Sequence, residues 1–217
     1  MREQVIKRIE KEKIITILRG VPSDKLIPLA KAMYKGGIRL IECTFDASGK
    51  TSDEEIAAKI KLLSEHFKGK MFVGAGTVLT KKQVVLTKKA GGMFIISPDT
   101  NPAVIKKTKK EGLVSIPGAF TPTEICTAKR AGADFVKLFP VGAIGSKYVQ
   151  DVLAPLSDCK LLAVGGINEN NMNEYFEAGV LGIGIGSGIV DKKAIENNDF
   201  ETITQHAKLY TGSLIKR

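Results

Sequence analysis

Residues 36–78 read GGIRLIECTFDASGKTSDEEIAAKIKLLSEHFKGKMFVGAGTV and contain one complete strand–helix–strand unit. The runs IRLIEC (38–43) and MFVGA (71–75) are apolar on both faces. A half-exposed antiparallel strand would alternate. Continuous apolar runs of this length suit parallel strands buried on both sides. Between them, Ser52 opens a stretch that puts Ile56, Ile60, Leu63 and Phe67 on one face, the pattern of a capped amphipathic helix.

The unit repeats in both directions. Further apolar runs are IITIL (14–18), MFII (93–96), LVSI (113–116), DFVKLF (134–139), LLAV (161–164) and LGIGIG (181–186). The eight runs recur about every 24 residues, room for one strand, one helix and two short loops. Helix signals fall between them. Residues 23–36 start at Ser23-Asp24 and stop at Gly36-Gly37, with Pro28 inside, where a kink or a shifted start is expected. Thr80 caps 81–90, Asn101-Pro102 opens another helix, Thr121-Pro122-Thr123-Glu124 a further one, and Asn168 to Gly179 repeats the pattern. Residues 2–13 add a helix with Val5, Ile6 and Ile9 on one side, suited to plug the bottom of a barrel, and 199–212 close the chain. No linker or composition break appears. The expectation is one α/β domain, residues 1–217, folded as a (β/α)8 TIM barrel with an extra N-terminal helix. A doubly wound open sheet is the alternative.

The 217-residue length suits one such barrel, and a mean hydropathy of +0.02 allows a large core. No apolar run approaches the ~18 residues of a membrane span. The start MREQVIKRIEKEK lacks the apolar centre of a signal peptide. Cys43, Cys126 and Cys159 are an odd number without CxxC spacing, which speaks against a disulfide framework or a zinc site and for a reducing cytoplasm. Lys and Arg number 33 against 23 Asp and Glu, a net charge of +10. That excess suits nucleic acid or small anions. There is no Trp, no finger motif and no basic tail, and the lysines lie in helix-like segments such as IKKTKKEG. We therefore expect a solvated lysine-rich surface, with no nucleic-acid and no membrane partner.

In a barrel, function collects at the C-terminal strand ends, and inward positions alternate. Parity places Ile15, Ile17 and Arg19 on one face, and Ile38, Leu40, Glu42 and Thr44 on another. Val73 and Ala75 lead to Thr77, Phe94 and Ile96 lead to Pro98, and Phe135, Lys137 and Phe139 share a face. With these faces inward, Arg19, Glu42, Thr44, Thr77, Lys137 and Phe139 converge on the barrel mouth. The opposite choice buries Lys137 and Glu42 unpaired under the helices, which is costly. A lysine in an apolar strand loses affinity for its proton and becomes a nucleophile toward carbonyls. A carboxylate on the same face can shuttle the protons that Schiff-base chemistry moves. The residues alone equally allow a structural Lys137–Glu42 pair. Two glycine turns, VGGIN (164–168) and GIGSGIV (184–190), follow the last two strands, a recurrent phosphate-binding place in barrels. The two histidines, His66 and His206, make no metal motif, no GxSxG elbow occurs, and parity turns the Cys43 thiol to the helix layer.

GGIRLIECT, GAGTV, ISPDTNP, IPGAFTPTE, FVKLFP, VGGI and GIGSGIV, in this order from about residue 14 to 210, resemble the 2-keto-3-deoxy-6-phosphogluconate (KDPG) and 4-hydroxy-2-oxoglutarate (KHG) aldolases. The resemblance implies a class I aldolase that needs no metal or other cofactor, acts on a small-molecule 2-keto acid and assembles as a homotrimer. It implies that Lys137 forms the Schiff base and Glu42 is the general acid/base. Thr77 would hold the pyruvate carboxylate, and Pro98 and Phe139 would line the pyruvyl pocket. Gly165, Gly166, Gly186 and Ser187 would form the phosphate or distal site, and Arg19 would bind anionic groups. Two positions depart from the pattern. Asp46 stands where many members have arginine, putting a negative charge at the mouth and leaving Arg19 or Lys50 as the cation. Val164 stands where many have threonine. Readings without a Schiff base are a phosphate-binding isomerase or synthase and a non-catalytic basic binder.

Overall fold

The computed structural model describes residues 2–214, so Met1 and 215–217 of the expected domain lie outside the described residues. Strands β1 (Ile14–Leu18), β2 (Leu40–Thr44), β3 (Phe72–Gly76), β4 (Phe94–Ile96), β5 (Val114–Ile116), β6 (Gly118–Ala119), β7 (Val136–Leu138), β8 (Leu161–Val164) and β9 (Gly182–Ile185) form one sheet in the order β5-β4-β3-β2-β1-β9-β8-β7-β6. Every registered pair is parallel.

The ninth segment is half of the expected fifth strand. Pro117 has no N–H and divides it into β5 and β6. β5 pairs with β4 and β6 pairs with β7, so the two halves close the wall. Backbone bonds from Phe135 to Ser115, Lys137 to Pro117 and Phe139 to Ala119 complete the seam. The (β/α)8 barrel is the fold the repeat predicts, and the open sheet is excluded.

Helices α1 (Arg2–Glu12), α2 (Ser23–Lys35), α3 (Asp53–His66), α4 (Lys81–Lys89), α5 (Pro102–Lys110), α6 (Pro122–Arg130), α7 (Ser146–Leu153), α8 (Met172–Glu177), α9 (Lys192–Glu196) and α10 (Phe200–Gly212) accompany the strands. Ser52 caps α3, and Thr80 and Thr121 build capping boxes with Gln83 and Glu124. α2 starts at Ser23 as expected and runs through Pro28. α8 is shorter than the expected 168–179. The Asn168 and Asn171 side chains bond to nearby backbone N–H groups and hold residues 168–171 in a turn instead.

Two apolar clusters divide at the wall. Inside lie Ile15, Leu40, Phe94, Val114, Phe135 and Leu162. Val5 and Ile9 of α1 belong to this inner cluster and are each 1% exposed, so α1 plugs the barrel floor. The larger outer cluster joins the other strand face to the helices.

Inner parity holds for β1, β4 and β7 but not for β3. Val73, Ala75 and also Ile38 pack in the outer layer. Gly74 and Gly76 face the bore, because Phe94 and Glu42 already fill the space there. A Cβ on Gly74 would lie 2.3 Å from the Phe94 ring, and one on Gly76 would lie 2.3 Å from Glu42 Oε1.

Candidate active site

Glu42 and Lys137 enter the bore from different arcs of the wall, β2 and β7. Register sets both heights: Glu42 lies opposite Ile17 and Gly74, and Lys137 lies opposite Gly118. The two side chains line one narrow pocket with a cavity volume of about 10 Å³, walled by aliphatic groups that include Ile17, Ile96, Leu162 and Val164. Lys137 is 8% exposed and Glu42 only 2%. Lys137 Nζ sits 4.5 Å from the centre of the Phe139 ring, which forms a platform beneath it.

Burial dominates both ionisations. It pushes the Glu42 carboxyl up to about 7, although Lys137 and Arg19 favour its anion. It also draws Lys137 below the ordinary lysine value. Glu42 opposes that shift and Arg19 adds to it. Glu42 Oε2 is buried without a hydrogen-bond partner among the described residues. Such an atom is costly unless a bound molecule or water completes it. An amine that holds its proton less tightly than an ordinary lysine therefore shares this pocket with a carboxyl that exchanges one near neutrality.

Above this pocket opens a wide basin. Arg19, Thr77, Pro98, Lys137, Phe139, Gly165, Gly166, Gly186 and Ser187 all line it, so the expected site residues converge, with Glu42 beneath them. Thr77 reaches the basin by an unexpected route. Its φ is +54°, uncommon for a β-branched residue, and costs about 1–3 kcal/mol. That turn breaks the alternation after Gly76, and the Val78 N–H bond to the Ile96 carbonyl holds it. Gly165 and Gly166 have φ of +88° and +78°, which bring their backbone tightly against Gly142.

Thr44 stands apart from the others. It is buried, lines neither cavity, and donates its hydroxyl to the Leu18 carbonyl at 3.3 Å. Asp46 keeps its negative charge but lines neither cavity. Its carboxylate accepts from Ser48 N–H, Ser48 Oγ and Thr51 N–H, so it ties off its own loop. These bonds hold its pKa below the usual range. Lys50 is exposed and does not line the basin, whereas Arg19, Lys25, Lys192 and Lys193 do. The Cys43 thiol lies in the outer layer, and burial pushes it up to about 12, so it stays protonated. Among the described residues, no three His, Cys, Asp or Glu side chains gather as metal ligands would.

Sequence reasoning missed Gly74 and Gly76, whose absent side chains make the room for Phe94 and Glu42. The spacing FVGAG carries the signal: two small residues at the inward parity beside a bulky inward neighbour.

Residues 5–206 match the family described as KDPG and KHG aldolase. The 2-dehydro-3-deoxy-phosphogluconate aldolase of Haemophilus influenzae is 31% identical over 93% of this chain and 92% of its own. A probable 2-dehydro-3-deoxy-6-phosphogalactonate aldolase of Rhizobium meliloti is 34% identical over 81% of each chain. The crystal structure of Legionella pneumophila KDPG aldolase, with pyruvate captured as a covalent carbinolamine, superposes with a TM-score of 0.84. It is 27% identical, and the match covers 96% of this chain and 97% of that one. The isomerase and the non-catalytic binder are thereby set aside: the chain belongs to the KDPG and KHG aldolase family of carbon–carbon lyases.

Proposed function

We propose that this enzyme cleaves a 2-keto-4-hydroxy acid to pyruvate and an aldehyde through a Schiff base on Lys137. The observation that carries the reading is the shared apolar pocket of Lys137 and Glu42. Unprotonated Lys137 attacks C2 of the substrate and forms a carbinolamine. Loss of water gives the iminium, an electron sink. The Glu42 carboxylate, directly or through water, takes the proton of the C4 hydroxyl. The C3–C4 electron pair moves into the iminium, releasing the aldehyde and leaving an enamine of pyruvate. Protonated Glu42 then returns a proton to C3, and water releases pyruvate and regenerates Lys137. None of these steps calls for a metal or a diffusible cofactor.

Roles follow from position. Thr77 would hold the substrate carboxylate, and Pro98 and Phe139 would enclose the pyruvyl unit. Arg19 supplies positive charge at the mouth. Gly165, Gly166, Gly186 and Ser187 would take a terminal phosphate or other distal anion through backbone N–H groups and the Ser187 hydroxyl. Val164 presents methyl groups where a hydroxyl would otherwise help orient the substrate. The substrate is 2-dehydro-3-deoxy-6-phosphogluconate, 4-hydroxy-2-oxoglutarate or both, giving glyceraldehyde 3-phosphate or glyoxylate. Coupled pyruvate detection over a panel of 2-keto-4-hydroxy acids, including C4 epimers and dephosphorylated forms, tests this. The distal assignment predicts a kcat/KM at least about tenfold higher with the phosphate than without it. Equal values would remove the phosphate from the proposal.

The resemblance also points to a homotrimer, which we adopt. Phe120 and Ile144 are exposed on neighbouring segments, and Phe120 stacks on Tyr148 with ring centres 5.8 Å apart, an apolar patch that a second copy would cover. Light scattering should give three times the 23.4 kDa chain mass, and a monomer would refute it. The unpaired Cys43, Cys126 and Cys159 suit a cytoplasmic enzyme, and no helix of the described residues is long and apolar enough to cross a membrane.

A further inference from the structure

The two glycine turns at the distal end belong to different βα loops. Each is held within its own loop or by its immediate neighbour. Gly165 accepts from the Gly142 N–H at 2.8 Å, and Gly166 accepts from Asn171 Nδ2 at 2.9 Å. Gly186 accepts from the N–H groups of Ile189 and Val190. These contacts fix the shape of each turn, and the β8–β9 ladder, which ends with Val164 opposite Gly184, spaces their roots; beyond that pair no hydrogen bond among the described residues joins the two turns directly.

A side chain from the closing helix reaches both loops. Tyr210 of α10 is 1% exposed, and its hydroxyl donates to Glu169 Oε2 at 3.0 Å, on the loop that carries Gly165 and Gly166. The same hydroxyl lies against Gly188, on the loop that carries Gly186 and Ser187. A Cβ on Gly188 would stand 2.1 Å from it. Tyr210, Glu169 and Gly188 all border the basin. Burial and the Glu169 carboxylate push the Tyr210 hydroxyl up to about 12, so it remains a donor throughout the working pH range. α10 is itself anchored. Thr211 Oγ1 donates to the Gly36 carbonyl at 2.8 Å, and Thr204 Oγ1 donates to the Ala32 carbonyl at 3.3 Å. The tyrosine therefore projects from a fixed base at the end of α2.

We propose that Tyr210 is a positioning residue for the distal subsite: by bonding Glu169 and seating Gly188, it sets the spacing of the two glycine turns and so the grip on a terminal anion. The inference rests on the reading that those turns bind the distal anionic group. It adds a determinant of substrate preference in the last helix, far along the chain from Lys137. The bond also holds the Glu169 carboxylate in one direction at the rim of a site meant for an anion.

Tyr210→Phe removes the hydroxyl and keeps the ring. We expect KM for the phosphorylated substrate to rise about tenfold, with kcat within about twofold and KM for the dephosphorylated parent unchanged. Glu169→Gln keeps an oxygen that can accept from Tyr210 and removes a negative charge at the rim, so its KM for the phosphorylated substrate should not rise. Glu169→Ala added to Tyr210→Phe should give no further loss, because both delete one bond. An unchanged KM for the phosphorylated substrate, or an equal rise for both substrates, would overturn the proposal. A wild-type protein that cleaves neither substrate would count against the aldolase reading instead. Inorganic phosphate then decides the tie by thermal melting. Phosphate should raise Tm of the wild type more than that of Tyr210→Phe. Phosphate that stabilises neither protein, or both equally, overturns the proposal.

Discussion

Lys137→Met should abolish turnover, with a fall in kcat of about 10⁴-fold or more, while the barrel stays folded. Methionine has similar length, fits the pocket of Ile17, Ile96 and Leu162, and cannot form an iminium. The Lys137 backbone is held independently of its side chain, by its N–H bond to the Pro117 carbonyl and its pairing with β6 and β8. Far-ultraviolet circular dichroism should therefore be unchanged. A variant that retains more than about a hundredth of wild-type kcat would require another nucleophile.

Glu42→Gln should separate activity from stability. The amide cannot accept the C4 hydroxyl proton or return one to C3, so kcat should fall about 10³-fold. Its effect on stability follows from the carboxyl's pKa of about 7 in the fold against an ordinary 4.5. Below pH 4.5 the carboxyl is protonated in both the folded and the unfolded chain and contributes no difference. Between 4.5 and 7 the unfolded chain ionises freely while the folded chain keeps its proton, so the folded state loses relative stability. Above 7 the loss is complete and constant. Glutamine never ionises. Its Tm should thus exceed the wild-type Tm by an amount that opens between pH 4.5 and 7 and then levels off. The value of about 7 already contains the opposing pull of Lys137 and Arg19 on the Glu42 anion. A pH-independent difference, or a variant less stable at pH 8, would contradict the assigned environment.

The barrel was legible because each helix signal fell between runs that are apolar on both faces. The capping boxes at Thr80 and Thr121 appear where the local sequence puts them. Period-two arithmetic also brought Glu42 and Lys137 into one bore. It failed at β3, where the space taken by Phe94 and Glu42, not the hydrophobicity of Val73 and Ala75, decides which face turns in. It reached Thr77 only by accident, since a positive φ restores what the wrong parity had assumed. α7 carried no signal: it starts after Gly145, which has φ of +82° and no side-chain cap. The split at Pro117 is readable only when both neighbouring strands are known, because the residue spoils one ladder position while its carbonyl serves Lys137. Nothing local showed that Ser48 and Thr51 would claim both oxygens of Asp46. The Tyr210 link was illegible for a similar reason: its partners Glu169 and Gly188 lie on two other elements.

The most direct test is covalent. The protein is incubated with pyruvate and borohydride, digested, and mapped by mass spectrometry. The account predicts a reduced pyruvyl adduct on Lys137 alone among the lysines, dependent on both reagents and absent from Lys137→Met. An unmodified Lys137, or an adduct on a different lysine, would contradict it.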